Sequence, residues 1–343
     1  CALPICMTRS LILLVVVCCA VACYAAPACK NPSGENVDYW IMVKLPENYT
    51  YAYYDASNPQ LIIQDDTIKD SSSALARTMN SLYGASTSST GYILYNDEPP
   101  NKSKSGTLAH AKGVIATTSS GGFWLAHSMP KFPPPFADGY SVDTSLDRYG
   151  QTLICIDMSR ATIDDVCQQL SIADVDLYDS NWPSSFSSSK NCASLVGGDK
   201  LKTPTGTVSF SSSGGHKFTS YMKSKLWDDD LYEDLVAPSI GEDLYVNSWL
   251  NGDGGIYPSW CRPEHKFDVY NVVNVTLTED VWWKSSNDHA KWAVSIKGDW
   301  VCLCDTNRML SQRKRGGGAI CMDTSDVHKV FSNMVGSYQP CES

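Results

Sequence analysis

Charge is sparse in this chain: 19% of its 343 residues are charged, and the basic side is the smaller, with 27 Lys and Arg against 37 Asp and Glu. The net charge of −10 excludes a generally basic, histone-like binder of nucleic acid. It leaves room for a nuclease whose cations are gathered in one cleft. Aromatic residues make up 10% and apolar residues 43%. That balance excludes a mostly disordered chain, a collagen and a long coiled coil, and it provides core material for a stable globule. Past residue 25 no run is long and apolar enough for the ~20 residues a bilayer requires. No short-period repeat marks a solenoid. A Cys302-Leu-Cys304 pair has no matching His or Cys pair nearby, so no metal site is expected from it.

What the chain does have in quantity is cysteine, with fourteen residues, which points to an oxidising compartment. From Met7 to Ala25 one Arg precedes an apolar run, Leu11–Val17, and then small residues. That is the build of a secretory signal, with cleavage expected after Ala25; the residues ahead of Met7 are given no structural role. Its removal would take Cys1, Cys6, Cys18, Cys19, Cys23 and Arg9, leaving nine cysteines and a net charge of −11. Three sequons follow at Asn48, Asn101 and Asn274. Together these features predict a glycoprotein of the secretory route with no membrane anchor in its mature form.

Val37–Leu45, Gly91–Tyr95, Gly150–Met158, Val269–Leu277, Trp292–Ile296 and Trp300–Leu303 read as strands, rich in β-branched and aromatic residues. Thr107–Ser128 reads as a hairpin turning at Ser-Ser-Gly-Gly. Ala161–Leu170 has helical spacing, and so does His216–Leu226, where Phe218, Tyr221 and Met222 fall on one face. Ser184–Ser189 and Ser211–Gly215 read as loops. Strands and helices without regular alternation predict an α/β or mixed α+β fold with mixed sheets.

One repetition stands out. Residues 110–127 read HAKGVIATTSSGGFWLAH, and residues 289–307 read HAKWAVSIKGDWVCLCDTN. Each has His-Ala-Lys, a short strand, a turn with glycine, and a second strand that opens on an aromatic. His and Lys two apart on a strand share a face. Two such pairs, brought together by a pseudo-twofold axis, suit a phosphodiester: lysines neutralise its oxygens, one imidazole attacks phosphorus, and the other protonates the leaving oxygen.

H-x-K twice per chain resembles the phospholipase D superfamily, whose motif adds Asn about seventeen residues after His. Here that place holds His127 in the first copy and Asn307 in the second. The sequence therefore resembles the branch in which the first motif ends in His, the deoxyribonuclease II family. CKNPSGENVDYWIMVKLP, FWLAHSMPKFPP, YGQTLICIDM, DHAKW, WVCLCDTNR, RGGGAIC and SYQPC extend the likeness over nearly the whole mature chain. The resemblance implies a phospholipase D-like fold of two pseudo-symmetric halves, residues 26–160 and 161–343. It implies a cofactor-free, metal-independent acid endonuclease of lysosomes or secretions, monomer or homodimer, that acts on double-stranded DNA and leaves 3′-phosphate and 5′-hydroxyl ends. Carried over by motif, His110, Lys112, His289 and Lys291 are catalytic, with His110 as nucleophile and His289 as acid or the reverse. His127 and Asn307 are supporting or phosphate-orienting groups.

The family pairing implies disulfides Cys29–Cys155, Cys261–Cys341 and Cys302–Cys321, with Cys167–Cys192 left as a fourth and Cys304 odd. Cys304 in place of Cys302 is the alternative. Arg313-Lys314-Arg315 reads as a basic flexible loop, either in contact with DNA phosphates or merely solvated. Asp288 either orients His289 or faces solvent, and His216, His265 and His328 are expected in structural or surface roles. Two other functions share the sequence features: a phospholipase D-like phosphodiesterase on another ester, and a non-catalytic glycoprotein or toxin on the same scaffold.

Overall fold

The computed structural model describes residues 26–252, 254–261 and 266–341. The expected leader, residues 1–25, and His265 lie outside them. One sheet holds β1 (Tyr39–Lys44), β2 (Thr50–Asp55), β3 (Asn58–Thr67), β4 (Gly91–Asn96), β5 (Lys112–Thr118), β6 (Gly121–His127), β7 (Gln151–Met158) and β8 (Leu177–Asn181), in the order β3-β2-β1-β7-β6-β5-β4-β8. The second holds β9 (Thr205–Ser211), β10 (Lys217–Lys223), β11 (Leu244–Asn247), β12 (Val269–Thr276), β13 (Trp282–Lys284), β14 (Trp292–Ser295), β15 (Trp300–Cys304), β16 (Gly317–Asp323) and β17 (Val335–Tyr338). Its order is β13-β12-β11-β14-β15-β16-β10-β9, with β17 on β12. The helices are α1 (Ala74–Tyr83), α2 (Arg160–Ala173), α3 (Lys190–Val196), α4 (Ala237–Ile240), α5 (Leu310–Arg313) and α6 (Ser325–Asn333).

The largest core lies between the sheets, where Ile163, Val166 and Leu170 of α2 and Val327 and Phe331 of α6 meet inward side chains of both, among them Ile41, Ile154, Phe218 and Val294. Leu75, Met79 and Leu82 of α1 cover the outer face of the first sheet. Leu231, Tyr232, Val236 and Ala237 cover the outer face of the second. With both faces covered, each sheet is an interior layer, and the two halves share one core. This is the expected mixed α/β architecture.

The duplication is visible in the strands. The path β4-β5-β6-β7-β1 in one sheet and the path β11-β14-β15-β16-β10 in the other are antiparallel throughout. Each His-Ala-Lys triplet leads into the second strand of its path. The halves do not divide at residue 160, because β8 lies beyond it and still closes the first sheet on β4.

His216–Leu226 is not a helix. Lys217–Lys223 is strand β10, paired with β9 and β16. Phe218 and Met222 enter the central core while Tyr221 enters the outer one. A strand buried on both faces loses its apolar–polar alternation, and three apolar residues then mimic helical spacing. The disulfides are Cys29–Cys155, Cys167–Cys192, Cys261–Cys341 and Cys302–Cys321. Cys302 and Cys321 sit opposite each other on β15 and β16, while Cys304 faces Ala319 and is a buried free thiol.

Candidate active site

β5 begins at Lys112 and β14 at Trp292, so both histidines precede their strands on extended segments that cross to the other half. The His110 N–H donates to Gly316 O at 2.9 Å, and the His289 N–H donates to Gly150 O at 2.9 Å. Each histidine is thereby fixed by the half it does not belong to. His110, Lys112, His289, Lys291 and Asn307 line one cleft of about 190 Å³, together with Ser128, Trp249 and Lys104. The four residues picked out by the repeat, and Asn307, are brought together.

Buried polar atoms nearly always find a partner. At this site His110 Nδ1, His289 Nε2 and Asn307 Oδ1 have none, as expected where a substrate supplies the missing contacts. Lys112 is ion-paired with the fully buried Asp97, which also accepts from Arg315 at 2.9 Å. Burial raises the Asp97 pKa, but Lys112, His110 and Arg315 outweigh it and hold the carboxyl far below its ordinary range. Among the described residues Lys291 has no such carboxylate within ion-pair distance, and it donates to His289 O, two residues back, at 2.7 Å. Burial, then Lys112, brings its pKa down to about 7. Burial and then the site lysines lower both imidazoles as well, Lys112 first for His110 and Lys291 first for His289. Asp305, beneath the lysines, is raised by burial to about 7.

The copies differ where it matters chemically. Tyr95 lies opposite Gly113 and Asn247 opposite Trp292, so the place of Asp97 is taken by Trp249 in the second half. By the same count from β7 and β16, Arg315 corresponds to Tyr149. His289 consequently packs against two rings, with Tyr149 stacked at 4.2 Å and Trp249 at 3.5 Å between centroids, and those two rings also touch each other at 4.7 Å. His110 has Asp97 and Arg315 instead. An aromatic face favours an imidazolium. Trp249→Ala is expected to free the His289 ring and lower kcat by about 10²-fold, the usual cost of a small misplacement, with a lesser change in KM; steady-state kinetics on DNA checks this.

His127, the last residue of β6, does not line the cleft. It lines a small cavity behind it with Tyr95, Trp124 and Asp305. Its Nδ1 accepts from the Met129 N–H at 3.2 Å, and burial lowers its pKa to about 3. It therefore stands behind Lys112 as a neutral ring, and Ser128 takes its place at the cleft. The basic segment is not a flexible loop. Arg313 pairs with Asp228 and Asp229, and Arg315 is buried on Asp97 and on the carbonyls of Leu108 and Ser105; only Lys314 of the three is exposed.

Asp288 is neither in solvent nor placed to orient the ring. Its carboxylate is buried and accepts from Trp283, Asn247 and the Ala290 N–H. His216 pairs with Asp38 and His328 reaches Ser295 O, so both hold structure. Asn48 and Asn101 are exposed, whereas Asn274 is half-buried and donates to Ser337. Among the described residues no helix is long and apolar enough to cross a membrane, and no three His, Cys, Asp or Glu side chains are grouped to hold a metal ion.

The sequence pattern did not single out Asp97, Trp249 and Tyr149. They stand in loops, and only strand register shows their equivalence.

A sequence profile described as Deoxyribonuclease II matches residues 28–341. Plancitoxin-1 of Acanthaster planci is 34% identical over 335 residues, covering 92% of this chain and 93% of that protein. Deoxyribonuclease-2-alpha of Mus musculus is 32% identical over 337 residues, covering 92% and 94%. Cell death-related nuclease 6 of Caenorhabditis elegans is 30% identical over 342 residues, covering 92% and 90%.

Proposed function

The chain belongs to the deoxyribonuclease II family and is by that membership a deoxyribonuclease, and we propose that it cuts double-stranded DNA without a metal, in acid, through a phosphohistidine. The observation that carries this reading is the convergence of His110 and His289, from two distant copies of one motif, on a single cleft with two buried lysines. Lys112 and Lys291 hold the non-bridging oxygens, where negative charge develops. His110 attacks phosphorus, and the P–O5′ bond breaks as His289, protonated against its aromatic neighbours, gives its proton to O5′. A 5′-hydroxyl leaves, and the 3′-nucleotide stays on His110. His289, now neutral, takes a proton from water, whose oxygen displaces the histidine and leaves a 3′-phosphate. Asn307, which also lines the cleft, orients the phosphate.

The acid requirement follows from the depressed imidazoles. Free imidazole titrates near ~6.5, and burial together with the site lysines moves both histidines below that. At neutral pH both are unprotonated, so a nucleophile is ready but the acid is missing. The bound phosphodiester's negative charge partly restores proton affinity, and lowering the pH supplies the proton. Lys291, near 7, also gains its charge as the pH falls. Plasmid nicking with excess EDTA is therefore expected at pH 5 and to slow at least about tenfold by pH 7.5. Cutting that needs an added divalent metal contradicts the proposal. Four disulfides and the exposed sequons fit a secreted or lysosomal enzyme that degrades DNA there.

A further inference from the structure

Two buried lysines outside the cleft stand at equivalent places. Lys44 ends β1 opposite Gln151, and Lys223 ends β10 opposite Gly317. Both are almost inaccessible to solvent, at 0% and 1%. Lys44 Nζ donates to the carbonyls of Asp147 and Tyr149 at 2.8 and 2.7 Å. Lys223 Nζ donates to those of Arg313 and Arg315 at 2.8 and 2.7 Å. Counted back from Gly150 and from Gly316, these are the same two positions, three residues and one residue before the glycine. Each glycine's own carbonyl then accepts the backbone N–H of the opposite half's histidine.

Neither glycine has space for a side chain. A Cβ on Gly316 would lie 1.8 Å from Ala173 O, and one on Gly150 would lie 2.5 Å from the Asp288 carboxylate. The segments are in close contact, so a change in the loop reaches the histidine directly. A buried ammonium is costly, and hydrogen bonds from a charged donor are stronger than neutral ones. Two such groups holding the same carbonyls in two halves, in addition to the lysines in the cleft, point to a common duty.

We propose that Lys44 and Lys223 are positioning residues, each clamping the loop that fixes the catalytic histidine of the opposite half: Lys44 for His289, Lys223 for His110. The proposal rests on the roles given above to the two histidines, and its test separates the two failures. A thymidine 3′-(4-nitrophenyl phosphate) ester has a leaving group that needs no acid. Variants that disturb only the acid histidine therefore lose DNA cutting but keep the first-turnover burst of nitrophenolate, and variants that disturb the nucleophile lose both.

Lys44→Met is expected to lower nicking about 10²-fold with little loss in the rate of the ester's first-turnover burst. Lys223→Met is expected to lower both by about that factor. An exchanged pattern would exchange the roles of the histidines and uphold the crossed pairing. Equal losses on both substrates in both variants, or no loss in either while the unaltered protein cuts DNA, would overturn it.

Amide hydrogen exchange decides the matter without reference to activity, even if the unaltered protein proves inactive on DNA. Lys223→Met should deprotect the His110 amide and spare that of His289, and Lys44→Met the reverse. Loss of protection at both amides in each variant, or at neither, refutes the proposal. If the methionine variants do not fold, Lys44→Gln and Lys223→Gln, which keep an N–H donor, carry the same comparison.

Discussion

Changing His110 to alanine is expected to leave a folded protein that no longer cuts DNA, with the rate at pH 5 lower by about 10⁴-fold or more. The substitution removes the atom that bonds phosphorus. His289→Ala should cost about 10²–10⁴-fold, the range for a general acid. It should cost much less in the first turnover of an ester with a nitrophenolate leaving group, which needs no acid. The double variant should be little worse than His110→Ala, because the two groups act as a unit and their effects do not add. Circular dichroism and thermal unfolding beside the nicking assay separate lost chemistry from lost fold. Full activity in either single variant removes that residue from the mechanism.

Asp97→Ala should produce the largest loss of stability at any site residue, about 3–5 kcal/mol. Asp97 is fully buried between Lys112 and Arg315, and its removal strands two buried cations that now repel each other. Asp97→Asn, which keeps the shape, should lose nearly as much, because the charge does the work. The sign with pH is fixed by the direction of the shift. A carboxyl held below its unfolded value of ~3.9 contributes stability that is complete above that pH and declines only as the pH falls further, toward the folded value. The contribution is therefore present in full at pH 5, where cutting is expected. Urea unfolding of the variants and the unaltered protein at pH 5 and pH 7 should show the same large difference at both. A difference below about 1 kcal/mol would mean that Lys112 is held by something other than Asp97.

The strands that could be read from the sequence were those with compact β-branched and aromatic runs, such as Tyr39–Lys44 and Gln151–Met158. β10 was misread because both of its faces are covered, which erases the alternation that marks a strand. The four cleft residues His110, Lys112, His289 and Lys291 could be read because their motif occurs twice, and a repeated pattern carries information that a single His-x-Lys does not. Their surroundings could not. Asp97 and Trp249 occupy one structural position with opposite chemistry, as do Arg315 and Tyr149, and pairing across the sheet is needed to see it. Arg315 reads as part of a basic loop that either meets DNA phosphates or is solvated, yet it is buried on Asp97 beside glycines that let the chain approach closely. His127 sits at the motif's place in the sequence but faces the wrong side of the strand end.

The claim beneath all of this is that imidazoles from the two halves divide one reaction between them, His110 bonding phosphorus and His289 moving the proton. His289→Ala mixed with the nitrophenyl ester, quenched and digested, puts this to its most direct test by mass spectrometry. The ester needs no acid to load the enzyme, and without His289 the hydrolysis of the adduct is slow. The account predicts a burst of one nitrophenolate per chain and a thymidine 3′-phosphoryl group on His110. No burst, or an adduct on any other residue, would contradict it.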